Sequence, residues 1–395
     1  MRVGIDATCW SNPRGYGRYA RGLLTALLEQ PSPQHEYVLF VDHHTFSQFT
    51  MPEGAQYVVV QTHESPTQAA SAEGRRSFAD MWAMTKAVAR TPLDVFFFPS
   101  VYTYFPLVTR ARIILGIHDV IAEDYPQVVF PDRRQYYLWT LKGVAARLQA
   151  NYIVTVSDYA REGIMRRFKW PQHKIWIVGE APDSVFQPIE DARKVEDALV
   201  EFGLNRSTRF MMCLGGLNPH KNLKMLLEVM AELRAESEFS DVHLLLVGPA
   251  ETDTFTPGAH NIRALVQQLG LEDAVHFTGF ISDEAVALLL NAARVLVMPS
   301  LAEGYGLGAV EAAACGTPVI VTQNSPMPQI LEGGGLFIDP LKSDELQTAL
   351  TTIFSDESAR LGMGQTALNR SRALTWPHAA DQFRSLLERT EQENP

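Results

Sequence analysis

The chain is poor in several things, and each shortage narrows what it can be. Only three cysteines, Cys9, Cys213 and Cys315, stand among 395 residues, far apart and in apolar or small-residue surroundings. That pattern suits buried thiols of a reducing compartment, not a disulfide frame or a zinc site. No apolar run approaches the ~18 residues of a membrane span. The opening MRVGIDATCW has one basic residue and no long apolar segment, so a signal peptide is not expected and a cytoplasmic home is. Basic residues are in deficit, 34 Lys and Arg against 45 Asp and Glu for a net charge of −11, which argues against general nucleic-acid binding. No Asp-x-Asp occurs anywhere. The usual carboxylate pair for a metal–diphosphate complex is therefore missing, and no metal ligand is assigned.

What is present is an ordinary globular composition, 46% hydrophobic and 20% charged, long enough for two or three domains. The charge is uneven. Residues 1–184 carry a net +2 and the remainder a net −13, consistent with two domains that meet different partners. Short apolar runs alternate with helical patterns in both halves, and each half has its own glycine loop at a strand end. Two doubly wound α/β units fit this better than one barrel.

The densest stretch is 294–322, RVLVMPSLAEGYGLGAVEAAACGTPVIVT. Val295–Met298 reads as a buried strand, Gly304-Tyr305-Gly306-Leu307-Gly308 as a loop, and Ala309–Cys315 as a helix. Glycines where a helix begins leave backbone N–H groups open to a phosphate, although any α/β protein has glycine at such turns. The spacing does not fit the dinucleotide fingerprint. Two carboxylates frame the loop, Glu303 just before it and Glu311 about two turns into the helix.

Three further places could carry chemistry. Arg2–Ala7 reads as a strand followed by Gly15-Tyr16-Gly17-Arg18-Tyr19 and a helix; glycine here permits close approach by a ligand, and a tight turn explains it too. His118 follows the strand 113–117, at the strand end where open α/β sheets bind ligands. Leu214-Gly215-Gly216-Leu217-Asn218-Pro219-His220-Lys221-Asn222 joins the first strand of the second half to its helix. It is not a Walker A loop, but Lys221 suits a diphosphate as a point charge. Asp42-His43-His44 lacks a partner cluster and reads as a solvated loop. The small polar segment 64–74 reads as a mobile loop that helps choose the acceptor.

EGYGLGAVEAAACGTPVI resembles the E-x7-E segment of the family 4 glycosyltransferases, retaining enzymes of the GT-B fold. The resemblance implies two Rossmann-like domains facing a cleft. The first would be 1–183, joined by a C-terminal helix at 376–395, and the second 184–375. Residue by residue, it implies that Glu303 contacts the donor sugar, Gly306 with Leu307 holds the diphosphate, and Glu311 binds the ribose, with Gly304 and Tyr305 also in the donor site. Gly15 and Gly17 would lie at the cleft mouth, His118 near the donor sugar, Gly216 and Lys221 at the phosphates, and Phe280 and Ile281 at the base. The family's usual basic pair is reduced here, because Gly216 and His220 stand where an arginine is common. His118, Glu303 and Lys221 are then the expected catalytic residues.

The activity implied is metal-independent, retaining transfer of a hexose from a nucleotide-diphosphate sugar, with no cofactor. The acceptor would be a glycan or a lipid-linked sugar, and the first expectation for the donor is GDP-mannose. Two rival readings are a glycosidase using Glu303 and Glu311, which needs carboxyls about 5–9 Å apart across a sugar, and a non-catalytic two-domain sugar-binding protein. Residues 131–175 are basic and rich in aromatics, with Tyr136, Tyr137, Trp139, Phe168 and Trp170. Peripheral contact with the inner face of a membrane is one reading; two ordinary surface helices with apolar inner faces is the other.

Overall fold

The computed structural model describes residues 1–13, 15–30, 32–64, 77–130, 132–248 and 259–392. Segment 65–74 of the expected acceptor loop lies outside them. The chain divides into two compact units, one of Met1–Pro126, Phe130–Glu180 and Thr375–Pro395, the other of Gln127–Val129 and Ala181–Leu374.

In the first unit the strands are β1 (Arg2–Asp6), β2 (Glu36–Asp42), β3 (Gln56–Val60), β4 (Val95–Phe98), β5 (Arg112–Gly116), β6 (Tyr152–Thr155) and β7 (Ile175–Ile177). They pair in the order β3-β2-β1-β4-β5-β6-β7, parallel throughout. The second unit has β8 (Arg209–Leu214), β9 (Val242–Val247), β10 (Val275–Gly279), β11 (Val295–Met298), β12 (Val319–Thr322) and β13 (Gly335–Ile338). Its order is β10-β9-β8-β11-β12-β13, again parallel. Sheets of this kind are covered on both faces, so their strands read as unbroken apolar runs. Val95-Phe96-Phe97-Phe98 and Val295-Leu296-Val297-Met298 are buried at every position. In both sheets the strand order reverses beside the first strand, between β1 and β4 and between β8 and β11. The carboxyl ends of those strands open the crevice where α/β sheets take ligands.

Six helices flank these crevices or brace the sheets: α1 (Gly15–Glu29), α2 (Arg133–Gln149), α3 (Asp158–Phe168), α4 (Leu223–Ala235), α5 (Leu307–Ala314) and α6 (Trp376–Gln392). α1 buries Leu23, Leu24, Leu27 and Leu28 on one face. α6 belongs to the first unit and buries Phe383, Leu386 and Leu387, each worth about 1.5–3 kcal/mol of apolar burial. Phe383 meets Phe97 of β4 with ring centroids 4.6 Å apart. Gly22 of α1 is where α6 lands, since a Cβ there would sit 2.2 Å from the Trp376 ring. In the second unit, Leu226, Leu227, Met230 and Leu233 of α4 share a core with Met211, Leu244, Leu246, Val295 and Val297.

Asp42 corrects one expectation. It is fully buried and caps the helix His43–Gln48, accepting from the Thr45 amide at 3.0 Å. An aspartate at a strand end reads as loop until the helix it caps is seen. Glu311 also lies closer to its helix start than expected: α5 begins at Leu307, so Glu311 is little more than one turn in.

Candidate functional site

The loops after β8 and β11 meet at the switch point of the second unit. Pro219–Lys221 forms a short 3-10 turn, and Asn222 leaves it in the left-handed conformation at φ 56°. Asn tolerates that conformation better than most residues. Its side-chain amide donates to the Pro299 carbonyl at 3.2 Å and the Pro340 carbonyl at 2.8 Å, pinning the lysine turn to the end of β11. The Leu301 amide donates to the His220 carbonyl at 2.8 Å. From the other side, the Asn324 side chain donates to the Leu301 carbonyl at 3.0 Å, and the Glu303 amide to the Asn324 carbonyl at 3.0 Å.

This frame puts Lys221 Nζ 2.7 Å from Glu303 Oε1, which also accepts from Ser300 Oγ at 2.6 Å. Glu303 is buried. Burial alone would raise its carboxyl, but the Lys221 charge and hydrogen bond, the Ser300 hydroxyl and the nearby His220 outweigh that and hold it below the ordinary value. A half-buried ammonium and a buried carboxylate thus stand together at the mouth of a sheet crevice.

Gly306 follows at φ +102°, a conformation open to glycine, and serves as N-cap of α5. A Cβ there would also come within 3.3 Å of Met327. Helix geometry leaves the first amides of α5 directed outward at its positive end. Gly304 and Tyr305 are buried under this turn, and Glu311 is buried within α5. A Cβ at Gly308 would meet Leu214 and Met298 at ordinary van der Waals distance. Gly216 is partly exposed in the lysine loop. Phe280, 70% exposed, and Ile281 lie just past β10, two strands from β8 in the sheet order. The Gly248 amide ties the end of β9 to the Gly279 carbonyl at 3.0 Å. Among the described residues no three His, Cys, Asp or Glu side chains gather into a metal-ligand group.

The first unit holds the other expected residues. Gly17 is needed by its own turn, since a Cβ would fall 2.0 Å from the Asn12 carbonyl oxygen, whereas Gly15 has nothing within 4 Å. His118, beyond β5, places Nε2 at 2.9 Å from the Pro99 carbonyl. A carbonyl can only accept, so Nε2 carries the proton. Nδ1 then faces Glu180 Oε1 at 3.5 Å, and the buried Tyr19 ring sits edge-on to the imidazole, centroids 4.6 Å apart. Burial pushes the imidazole down to about 4, against the Pro99 hydrogen bond, which raises it. It is neutral near pH 7.

Lys221 and Glu303 are therefore brought together, and the glycines and Glu311 occupy the same corner. His118, Gly15 and Gly17 belong to the first unit. Sequence reasoning missed Ser300, Asn324 and Glu180. Glu180 reads as a linker residue at a domain boundary, and only the 3.5 Å approach to His118 marks it.

With this geometry in place, comparison with known proteins is direct. Residues 195–370 match the family model described as glycosyl transferases group 1. Over those residues the chain is similar to the group 1 glycosyl transferases. The chain is 27% identical over 240 residues to a D-inositol 3-phosphate glycosyltransferase of Corynebacterium glutamicum, covering 60% of this chain and 57% of that one. It is 27% identical over 273 residues to the O-antigen chain mannosyltransferase B of Escherichia coli, covering 69% and 68%. The first match thus spans less than two thirds of its relative. Among solved structures, the sucrose-phosphate synthase of Thermosynechococcus elongatus superposes with a TM-score of 0.76 over 100% of both chains at 19% identity. The GT-B fold, two doubly wound α/β units, is shared. The matched residues contain all the expected donor-site residues of the second unit, from Gly216 to Glu311.

Proposed function

We propose that the protein is a retaining glycosyltransferase that moves a hexose from a nucleotide-diphosphate sugar to a glycan or lipid-linked acceptor without a metal ion. The observation that carries this reading is the Lys221–Glu303 pair beside the glycine-capped start of α5. In it the diphosphate lies on the outward amides of α5, Leu307 among them, with Lys221 as its counter-charge, a preorganised electrostatic device. Glu311 takes the ribose and Glu303 orients the sugar, while the base lies near Phe280 and Ile281. The acceptor hydroxyl bonds to the anomeric carbon on the face the diphosphate leaves, the bond from that carbon to the phosphate oxygen breaks, and the leaving phosphate takes the hydroxyl proton. No protein nucleophile is required. The acceptor is assigned to the first unit, where neutral His118 can share a hydrogen bond with a sugar hydroxyl. Mannose from a guanine nucleotide is the first donor to try, and the likeness to a mannosyltransferase supports that choice.

Glu303 speaks against a glycosidase in which it is the general acid. A general acid needs a raised carboxyl, and Lys221 with Ser300 holds this one down. A thermal-shift panel of nucleotide sugars tests the proposal. The true donor at a hundred times its Kd stabilises by about 2.7 kcal/mol, and turnover with it releases nucleoside diphosphate. Absence of both effects across guanine, uracil and adenine nucleotide sugars would overturn it.

A further inference from the structure

Helix α2 turns apolar side chains to both sides. Its inner side packs Trp139, Ala145 and Ala146 on the core of the first unit and adds polar anchors. The Trp139 indole N–H donates to Glu123 at 2.8 Å, Lys142 Nζ to the Tyr102 carbonyl at 2.6 Å, and Gln149 bonds both backbone groups of Leu107 and the Tyr104 hydroxyl. Its outer side is apolar. Tyr137 is 65% exposed, Leu138 68%, Leu141 67%, Val144 40% and Leu148 82%. Positions 137, 141, 144 and 148 recur at four, three and four residues, so they form one stripe along the helix. Asp132 caps the helix through the Gln135 amide at 2.9 Å, so the stripe is on a formed element and not a frayed end. No helix among the described residues is long and apolar enough to cross a membrane.

Charge selects the occupant. Residues 131–175 hold nine Lys and Arg against three Asp and Glu in a chain of net charge −11. Arg133 and Arg134, both exposed, begin α2 at the end of the stripe. Between 133 and 149 the helix has no acidic residue to meet those arginines in a second copy. An anionic bilayer surface complements both the stripe and the charge.

We infer that α2 lies on anionic lipid headgroups, its stripe among the acyl chains nearest the surface and Arg133 and Arg134 at the phosphates. The docking is coupled to the first turn of α1 by stacked rings. Tyr16 stacks on Tyr102 at 5.1 Å and 15°, and Tyr102 leans on Trp139 of α2 at 4.9 Å. The start of α1, in the unit assigned to the acceptor, is thus fastened to the docking helix, which suits an acceptor carried on a lipid. That last step rests on the proposed activity; membrane docking itself does not.

The test is sedimentation of the full chain with phosphatidylcholine vesicles and with vesicles that also contain phosphatidylglycerol. Binding is expected only to the second kind and falls as salt rises. Replacing the exposed Leu138, Leu141 and Leu148 by Ser, and separately Arg133→Gln with Arg134→Gln, should each weaken partitioning by about tenfold or more. Melting temperature near wild type confirms that these surface changes leave the fold intact. No binding to either vesicle, or equal binding to both, would overturn the inference. So would a concentration-dependent dimer that the triple serine variant abolishes. Vesicle binding without sugar-nucleotide turnover would count against the proposed activity and leave the docking inference standing.

Discussion

Lys221 and Glu303, 82 residues apart in the chain, form a 2.7 Å ion pair at the carboxyl ends of two adjacent strands. Both side chains are mostly out of solvent, at 17% and 11% exposure, so the pair is screened less than a surface bridge. It follows that the lysine assigned to the donor phosphates is already engaged, and that a bound diphosphate must share it with Glu303. This makes the two residues opposed in one respect and joined in another, which mutants can separate.

Lys221→Ala should weaken binding of free nucleoside diphosphate by roughly 10- to 150-fold, the worth of a charge-assisted hydrogen bond at about 1.5–3 kcal/mol. It should also leave the Glu303 carboxyl nearer the value that burial favours, so the variant loses less stability at mildly acidic pH than at neutral pH. Calorimetry and pH-dependent melting check the two effects. An unchanged affinity would mean that the α5 amides hold the diphosphate alone.

His118 should leave a mark on acid stability. Its imidazole is lowered from the ordinary histidine value of 6.5 to about 4 in the fold, so the unfolded chain binds its proton first as pH falls. Its contribution is complete above pH 6.5 and is lost progressively between there and pH 4, on the order of 3 kcal/mol in all. His118→Gln keeps an N–H for the Pro99 carbonyl and removes the titration. Its unfolding free energy should therefore depend less on pH across that window than the wild type's. Equal slopes would contradict the burial argument.

Gly15 and Gly17, expected as a loop but folded into the first turn of α1, should separate structure from contact. Gly17→Ala drives a Cβ into the Asn12 carbonyl and should destabilise by about 1–3 kcal/mol. Gly15→Ala meets nothing within 4 Å and should melt like wild type. Any rise in KM for Gly15→Ala then reports ligand approach and not folding.

Turnover with the true donor should survive an excess of chelator, because Lys221 and the helix amides supply the counter-charge to the leaving diphosphate. Activity lost on chelation and restored by Mg²⁺ or Mn²⁺ would contradict it.

Much of the fold was legible because its physics is local. Val95–Phe98 and Val295–Met298 announce buried parallel strands by having no polar face, and Ser157 caps α3 as its place before Tyr159–Phe168 suggests, accepting from Ala160. The glycine-led start of α5 is likewise written in neighbouring residues. The ion pair was not, since nothing near Lys221 names Glu303 as its partner. Only the pairing of β8 with β11 does so. The outward stripe of α2 was hidden for a different reason. A helical period tells which residues share a face, not which face meets the core. Glu180 stayed hidden because its partner, His118, follows a strand two places away in the sheet.

The most direct test compares free nucleoside diphosphate affinity and sugar transfer in Glu303→Ala and Glu311→Ala, measured side by side by calorimetry and turnover. Removing Glu303 releases Lys221 from its ion pair and takes away a negative charge beside the phosphates. The account therefore predicts nucleotide affinity at least equal to wild type, with transfer lost. Removing Glu311 should cut nucleotide affinity by roughly tenfold or more, the worth of a charged partner to a ribose hydroxyl at about 1.5–3 kcal/mol. If Glu303→Ala loses nucleotide affinity as Glu311→Ala does, or if neither variant binds differently from wild type, the division of the site into a sugar carboxylate and a ribose carboxylate is wrong.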